Sequence, residues 1–169
     1  VLPSEDLDEL KEDPTVQVVD YDTTQCSWVR LNYARLDVPS RVGLCYAFPY
    51  NDVIDQVLRG YAKPQGPIAD TVVGFDPSIP VFETDLDKAK EMLDSSELID
   101  ASTEMEYIMA DGNSEDRAIA ELFQANLAEI GYNLKLTIVD RSALIEMAYG
   151  DSPPEERPHM MSSGWWPDY

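Results

Sequence analysis

Positive charge is the scarcest resource of this chain. Lys and Arg number 12 against 33 Asp and Glu, a formal net charge of −21. Basic residues so sparse cannot form the positive stripe that a phosphate backbone requires, which excludes nucleic acid as a partner. The acidity itself reads as a solvated acidic surface. Histidine is scarcer still: His159 stands alone, so no multi-histidine metal site can form and at most one Ser/His/Asp or Cys/His arrangement is available. Cysteine is limited to Cys26 and Cys45, with neither a disulfide framework nor a CxxC motif. They read as two buried free thiols, with one bridge between them as the alternative. No run approaches the roughly 18 apolar residues of a membrane span, and no basic-then-apolar opening marks a signal peptide. A secretion signal, if the parent protein has one, is expected upstream.

Phosphate-cradling motifs, GxGxxG or Walker A, are also missing. Asp111-Gly112-Asn113-Ser114-Glu115 superficially suggests a calcium loop, but no glutamate closes it at the twelfth position, so a turn followed by a helix cap is the better reading. A Cys45/His159 dyad lacks any surrounding glycine elbow or oxyanion signature, and His159 reads as structural. Neither covalent chemistry nor a cofactor is expected.

What is present is enough for one globular unit: 169 residues, 44% of them hydrophobic, suit a single domain with its own core. Pro3 and Ser4 followed by acids open a short helix that ends by Pro14. Val16 and Val18 read as one strand and residues 26–33 as a second, Trp28 and Arg30 alternating with Val29 and Leu31. A helix opens at Pro39 and Ser40. Pro49 breaks it, and Asn51 is expected to cap the next, with Val53, Ile54, Val57 and Leu58 on one face. Residues 61–82, rich in proline and glycine, form a long loop of the kind that packs as a functional or supporting arm.

From Asp85 onward the pattern alternates. Asp85 caps a helix over 86–93, residues 104–110 form a strand, and 114–130 form the strongest helix, with Gly131 just past its end. Leu134, Leu136 and Ile138 alternate as a strand, Asp140 caps a helix closed by Gly150, and an acidic proline-rich loop leads to a strand over 159–163. Strand, helix, strand, helix, strand in this order implies two crossover units on a largely parallel sheet, so the fold class is α/β, a mixed, largely parallel sheet flanked by helices.

The ending Gly164-Trp165-Trp166-Pro167-Asp168-Tyr169 is unusually aromatic. Ordinary termini are polar and frayed, so the segment reads as the wall of a binding cleft in a piece excised from a larger protein.

Several segments together resemble the family 5 extracytoplasmic solute-binding proteins, the oligopeptide, dipeptide and nickel receptors of ABC importers. The anchors are Leu2-Pro3-x-x-Asp6-Leu7-x-x-Leu10-Lys11, the strand end Leu31-Asn32, and Asp52-x-Ile54-Asp55-x-Val57-Leu58-x-Gly60-Tyr61-Ala62-x-Pro64-x-x-Pro67-Ile68. Asp85-x-Asp87-Lys88-Ala89-Lys90-x-x-Leu93, Leu127-x-x-Ile130-Gly131 and Gly164-Trp165-x-x-Asp168-Tyr169 follow in the family's order. Phe48-Pro49 departs from the family pattern and implies a local break in that helix.

The resemblance implies one lobe, the second, of a two-lobed type II periplasmic-binding-protein-like fold, spanning residues 1–169 and truncated at both ends. It implies capture of a peptide or similar solute, a first lobe elsewhere in the parent, an ABC permease as partner, and a periplasmic or extracellular location, with an anchor, if any, in the missing N-terminus. In peptide-binding members the aspartate matching Asp168 receives the ligand's α-amino group, a contact that a water-excluding cleft strengthens. Trp165, Trp166 and Tyr169 would wall the cleft. Adjacent strand residues face opposite sides, so one tryptophan is expected toward the cleft and the other into the core. Trp28 is a further cleft candidate, although core burial weighs more for it. The alternative from another class is an interaction or sensor domain that reuses the same lobe without transport.

Overall fold

A computed structural model describes residues 7–19, 21–66 and 68–165. Their centre is a four-stranded sheet of order β1-β4-β2-β3, where β1 is Cys26–Leu31, β2 Glu104–Ala110, β3 Asn133–Val139 and β4 Met160–Trp165. β2 pairs in parallel with both β3 and β4, whereas β1 runs antiparallel to β4 along its whole length. The expected mixed, largely parallel sheet is the one formed. Its seam is short, because β2 and β4 share only the pairs Tyr107↔Met160 and Ile108↔Met161.

Among the described residues six α-helices accompany the sheet: α1 (Leu7–Glu12), α2 (Val38–Ala47), α3 (Tyr50–Asp52), α4 (Leu86–Asp94), α5 (Ser114–Glu129) and α6 (Arg141–Tyr149). Met105, Tyr107 and Met109 alternate along β2 and are buried with Phe123 and Leu127 of α5 and Leu44 of α2. Ile108, on the other face of β2, is buried too. A central parallel strand is covered on both sides. α6 supplies that second cover: its Met147 shares a cavity of about 190 Å³ with Glu106 and Ile108.

Helix starts follow their cap chemistry. Asn113 accepts from the backbone N–H groups of Glu115 and Asp116, Asp85 from Lys88, and Asp140 from Ala143, each satisfying an orphan donor of a first turn. Asp37 does more: it accepts from the Ser40 N–H and hydroxyl, the Ser96 hydroxyl and the Glu97 N–H, tying the start of α2 to the chain after α4. Burial alone would raise its carboxyl, but these hydrogen bonds outweigh it and hold the group well below the usual carboxylate range. α2 and α4 also approach closely at Gly43, where an added Cβ would stand 2.7 Å from Leu93 Cγ and 3.0 Å from the Ala89 carbonyl.

Three expectations are corrected. Val16 and Val18 form no strand, and Val16 is exposed. Two apolar residues in alternation are too few to hold a strand that no neighbour pairs. Asn51 is not a cap: α3 starts after Pro49, and Thr84 does the capping work, accepting from the Tyr50 N–H and donating to the Phe48 carbonyl. A short π-helical turn, Val53–Val57, replaces the regular helix expected there. Cys26 and Cys45 are free, as expected, but neither is fully buried.

The described residues of 61–83 carry no helix or strand, as their proline and glycine content implies. Lys63 pairs with Asp70 across this loop, which encloses a cavity of about 140 Å³ beside Phe75 and Ile79. The proline-rich segment before β4 forms one 3-10 turn, Pro154–Glu156, and is held to α6 by Arg157, which donates to the carbonyls of Ala148, Gly150 and Ser152.

Candidate ligand-binding surface

The antiparallel β1–β4 pair sets out the candidate site. Its register places Trp28 opposite Ser163, Cys26 opposite Trp165 and Arg30 opposite Met161. Side chains directly opposite share a face, and those two positions along are diagonal neighbours. Trp28, Arg30, Ser163 and Trp165 therefore stand on one face. Val29, Leu31 and Met160 take the other, against the core. The outward face at β1 stays open because β1 is an edge strand and α6 packs over β2.

Trp28 is 44% exposed and Trp165 50%. The expectation that Trp28 leans toward the core is thus corrected: it stands on the face of the edge strand opposite Val29 and Leu31, which are the β1 residues packed against the core. Trp165 is likewise outside the core. Trp166, Asp168 and Tyr169 lie outside the described residues. The structure brings Trp28 and Trp165 onto one surface although 137 positions separate them, a distance across which sequence carries no pairing signal.

Two groups of the β1–β4 pair and its neighbouring helices, one on each face, were not singled out by sequence reasoning. Arg30 Nη2 donates to the Tyr149 hydroxyl at 2.8 Å and to Ser163 Oγ at 3.3 Å, with its guanidinium 4.9 Å from the Tyr149 ring centroid. The alternation of Arg30 with Trp28 was visible in the sequence; Tyr149, at the end of α6, was not. Asp116, in the first turn of α5, is the second. Burial pushes its carboxyl up, with Glu115 adding to the effect and hydrogen bonds from Ser162 and Asn113 opposing it. Its partner Ser162 is paired with Val29, so Asp116 sits under the core-side face of β4, where its charge also bears on the buried Tyr107.

His159 serves structure. It is 3% exposed, and its Nδ1 accepts the Glu106 backbone N–H at 3.1 Å, extending the short β2–β4 seam. Arg35 Nη1 closes the cluster on the Glu106 carboxylate at 2.8 Å. Burial, then Arg35, pulls the imidazole below its ordinary pKa while Glu106 opposes them. The Cys45 thiol is pushed up by burial, the opposite of an activated nucleophile. Among the described residues no hydrogen bond joins Cys45 to His159, and no group of three or more His, Cys, Asp or Glu side chains is placed to hold a metal ion.

The sequence profile of the bacterial extracellular solute-binding proteins, family 5 Middle, matches residues 1–169. The chain belongs to this family. Among curated proteins it is 25% identical to the probable D,D-dipeptide-binding periplasmic protein DdpA of Escherichia coli (strain K12), over 98% of this chain and 34% of that protein. Among solved structures it is similar to the ABC transporter-associated periplasmic binding protein DppA of Helicobacter pylori in complex with the peptide STSA. There the TM-score is 0.83 and the identity 24%, over 98% of this chain and 32% of that one. The oligopeptide-binding protein AppA of Bacillus subtilis, in complex with a nonapeptide, matches with TM-score 0.81 and 24% identity, over 97% of this chain and 35% of that one. These likenesses show the fold. The family 5 chain spans about a third of the length of the relatives it matches.

Proposed function

We propose that this chain is the second, ligand-binding lobe of a two-lobed receptor that captures a peptide or similar solute outside the cytoplasm and delivers it to an ABC permease. The observation that carries the reading is the aromatic face of the β1–β4 pair: Trp28 and Trp165, both about half exposed, are diagonal neighbours on it, and Trp165 precedes Asp168 by three residues in the sequence. Exposed large aromatics gathered on one face mark a binding surface more than a solvated one. Family membership supports the class of function, and the peptide-bound structures of DppA and AppA support peptide as the solute.

In this reading Trp165, Trp166, Tyr169 and Trp28 wall the cleft, and Asp168 accepts the solute's amino group. The opposite wall comes from a first lobe, and closure of the lobes over the solute presents the form that the permease recognises. The receptor works in the periplasm or at the outer cell surface and performs no covalent chemistry.

The test is intrinsic tryptophan fluorescence of the intact receptor during titration with a mixed pool of short peptides, repeated with Asp168→Ala. A saturable change weakened by the substitution is expected. A saturable change that Asp168→Ala leaves untouched moves the anchor elsewhere, and no response to any peptide overturns the peptide reading in favour of an interaction or sensor role.

A further inference from the structure

His159 joins three strands at one point. Its carbonyl accepts the Asn32 N–H at 2.9 Å, which continues the β1–β4 ladder by one residue. Its Nδ1 accepts the Glu106 N–H at 3.1 Å, which continues the β2–β4 seam by one. That seam has two residue pairs of its own. A buried imidazole thus stands in for a backbone carbonyl where the sheet is most weakly joined and, unlike a carbonyl, it gives up the bond when it takes up a proton.

With Nδ1 as acceptor, the neutral ring carries its proton on Nε2. Protonation sets a second N–H on Nδ1 against the Glu106 N–H, and neither group can accept. The new N–H has another partner within reach, because Glu106 Oε2 stands 3.8 Å from Nδ1. This oxygen is shared with Arg35 Nη1 at 2.8 Å, and the Glu106 side chain is 39% exposed, so water reaches the edge of the buried ring. The remaining cations nearby are engaged: Lys135, opposite Glu106 on β3, pairs with Glu104, and Arg157, before β4, donates to the carbonyls of Ala148 and Gly150. Glu156 lines the cavity beside Glu106, and α6 brings Met147 to it.

The ribbon that this seam fixes to β2 carries Trp28 and Trp165. Burial, then Arg35, holds the imidazole below its ordinary pKa while the seam is closed. An open seam therefore binds the proton more readily, and falling pH shifts the population toward it. Met160 stays in the core, so the loosening is confined to the seam and the ribbon.

We propose that His159 is an acid-operated latch: protonation releases the Glu106 N–H, loosens the β1–β4 ribbon against β2 and weakens the receptor's hold on its solute. The last step rests on the solute-receptor reading, whereas the latch itself does not.

The experiment is hydrogen exchange read by mass spectrometry on the intact, solute-free receptor between pH 7.5 and 5.0, corrected for intrinsic rates, beside calorimetric titration with trialanine at the same pH values. Residues 104–110 and 160–165 exchange about threefold or more faster at pH 5.0, as loss of one buried hydrogen bond allows, while α5 is unchanged and trialanine affinity falls by a similar factor. His159→Asn, whose side-chain carbonyl takes the place of Nδ1 and does not titrate, removes both effects. Glu106→Gln, which takes the carboxylate from the imidazolium, moves the exchange transition to lower pH and decides the matter should His159→Asn fail to fold. Equal corrected exchange across the range, a difference that survives His159→Asn, or a transition that Glu106→Gln leaves in place overturns the latch. Faster exchange with unchanged trialanine affinity overturns the link to capture. Trialanine that does not bind at pH 7.5 removes the peptide reading and that link together, and the exchange data still decide the latch.

Discussion

Trp28 on β1 and Trp165 on β4 are diagonal neighbours on the uncovered face of the sheet, Trp28 being paired with Ser163 two residues before Trp165. Two half-exposed indoles at this spacing offer one continuous apolar surface, and losing either breaks it. Trp28→Ala and Trp165→Ala are each expected to weaken peptide capture by the intact receptor roughly three- to tenfold. Thermal stability changes little, because neither ring belongs to the core. Calorimetric titration beside a thermal melt checks this; a large loss of melting temperature with unchanged affinity would assign both rings to packing.

His159 makes stability depend on pH. Its folded pKa is depressed below the ordinary 6.5, so the unfolded chain binds the proton more readily. The stability it contributes is complete above the unfolded value and is lost as pH falls through 6.5 toward the folded pKa. Protonation also sets an N–H against the Glu106 N–H that Nδ1 now accepts. His159→Gln, which does not titrate, is expected to flatten the stability profile between pH 7 and 5. Urea unfolding at several pH values measures it, and parallel profiles for the two proteins would falsify the assignment.

Asp37 titrates at the other end of the scale. Its folded carboxyl lies far below its unfolded value, so its contribution is complete above the unfolded pKa, begins to decline as pH falls below about 4 and is lost only as pH passes through the folded pKa. Asp37→Asn keeps an acceptor but loses the charge, and is expected to lower stability most at pH 7, with the deficit still present at pH 3 and shrinking as pH falls further toward the folded pKa. Paired denaturant curves at the two pH values decide this.

Gly43 permits the close approach of α2 and α4. Gly43→Ala is expected to destabilise by about 1–3 kcal/mol, since the methyl group meets Leu93 Cγ at 2.7 Å and backbone at 3.0 Å. The usual helix gain of Ala over Gly, about 1 kcal/mol, is too small to offset a backbone contact. A rise in the urea midpoint would sink this reading.

Asn32 anchors the end of β1. Its Nδ2 donates to the Pro154 carbonyl at 2.7 Å and the Pro158 carbonyl at 3.1 Å, and its Oδ1 accepts from the Ala34 N–H at 3.0 Å. Asn32→Ala leaves these groups without partners and is expected to cost about 1–3 kcal/mol. Amide hydrogen exchange will show the loss concentrated in residues 154–158 and in β1; uniform faster exchange across the molecule would argue against a local anchor.

The sequence alone determined what depends on neighbours along the chain. Asp85, Asn113 and Asp140 mark helix starts because each side chain reaches backbone N–H groups two or three residues on. Gly131 marks the end of α5 because its φ of +87° suits glycine. The alternation of β1, β2 and β3 was legible for the same reason. The start of α3 was not, since its cap is Thr84, more than thirty residues away in the chain.

Tertiary structure decided everything that needs two distant segments at once. Val16 and Val18 have strand-like spacing but no strand to pair with. Trp28 looks like core in sequence, yet it lies exposed because β1 takes the sheet edge and α6 covers β2. Tyr149 meets Arg30 across 119 residues only because β4 returns beside β1. Hydrogen-bond periodicity and caps are local and can be read from residues in order; which face is left bare is settled by the order of strands in the sheet and by where each helix packs.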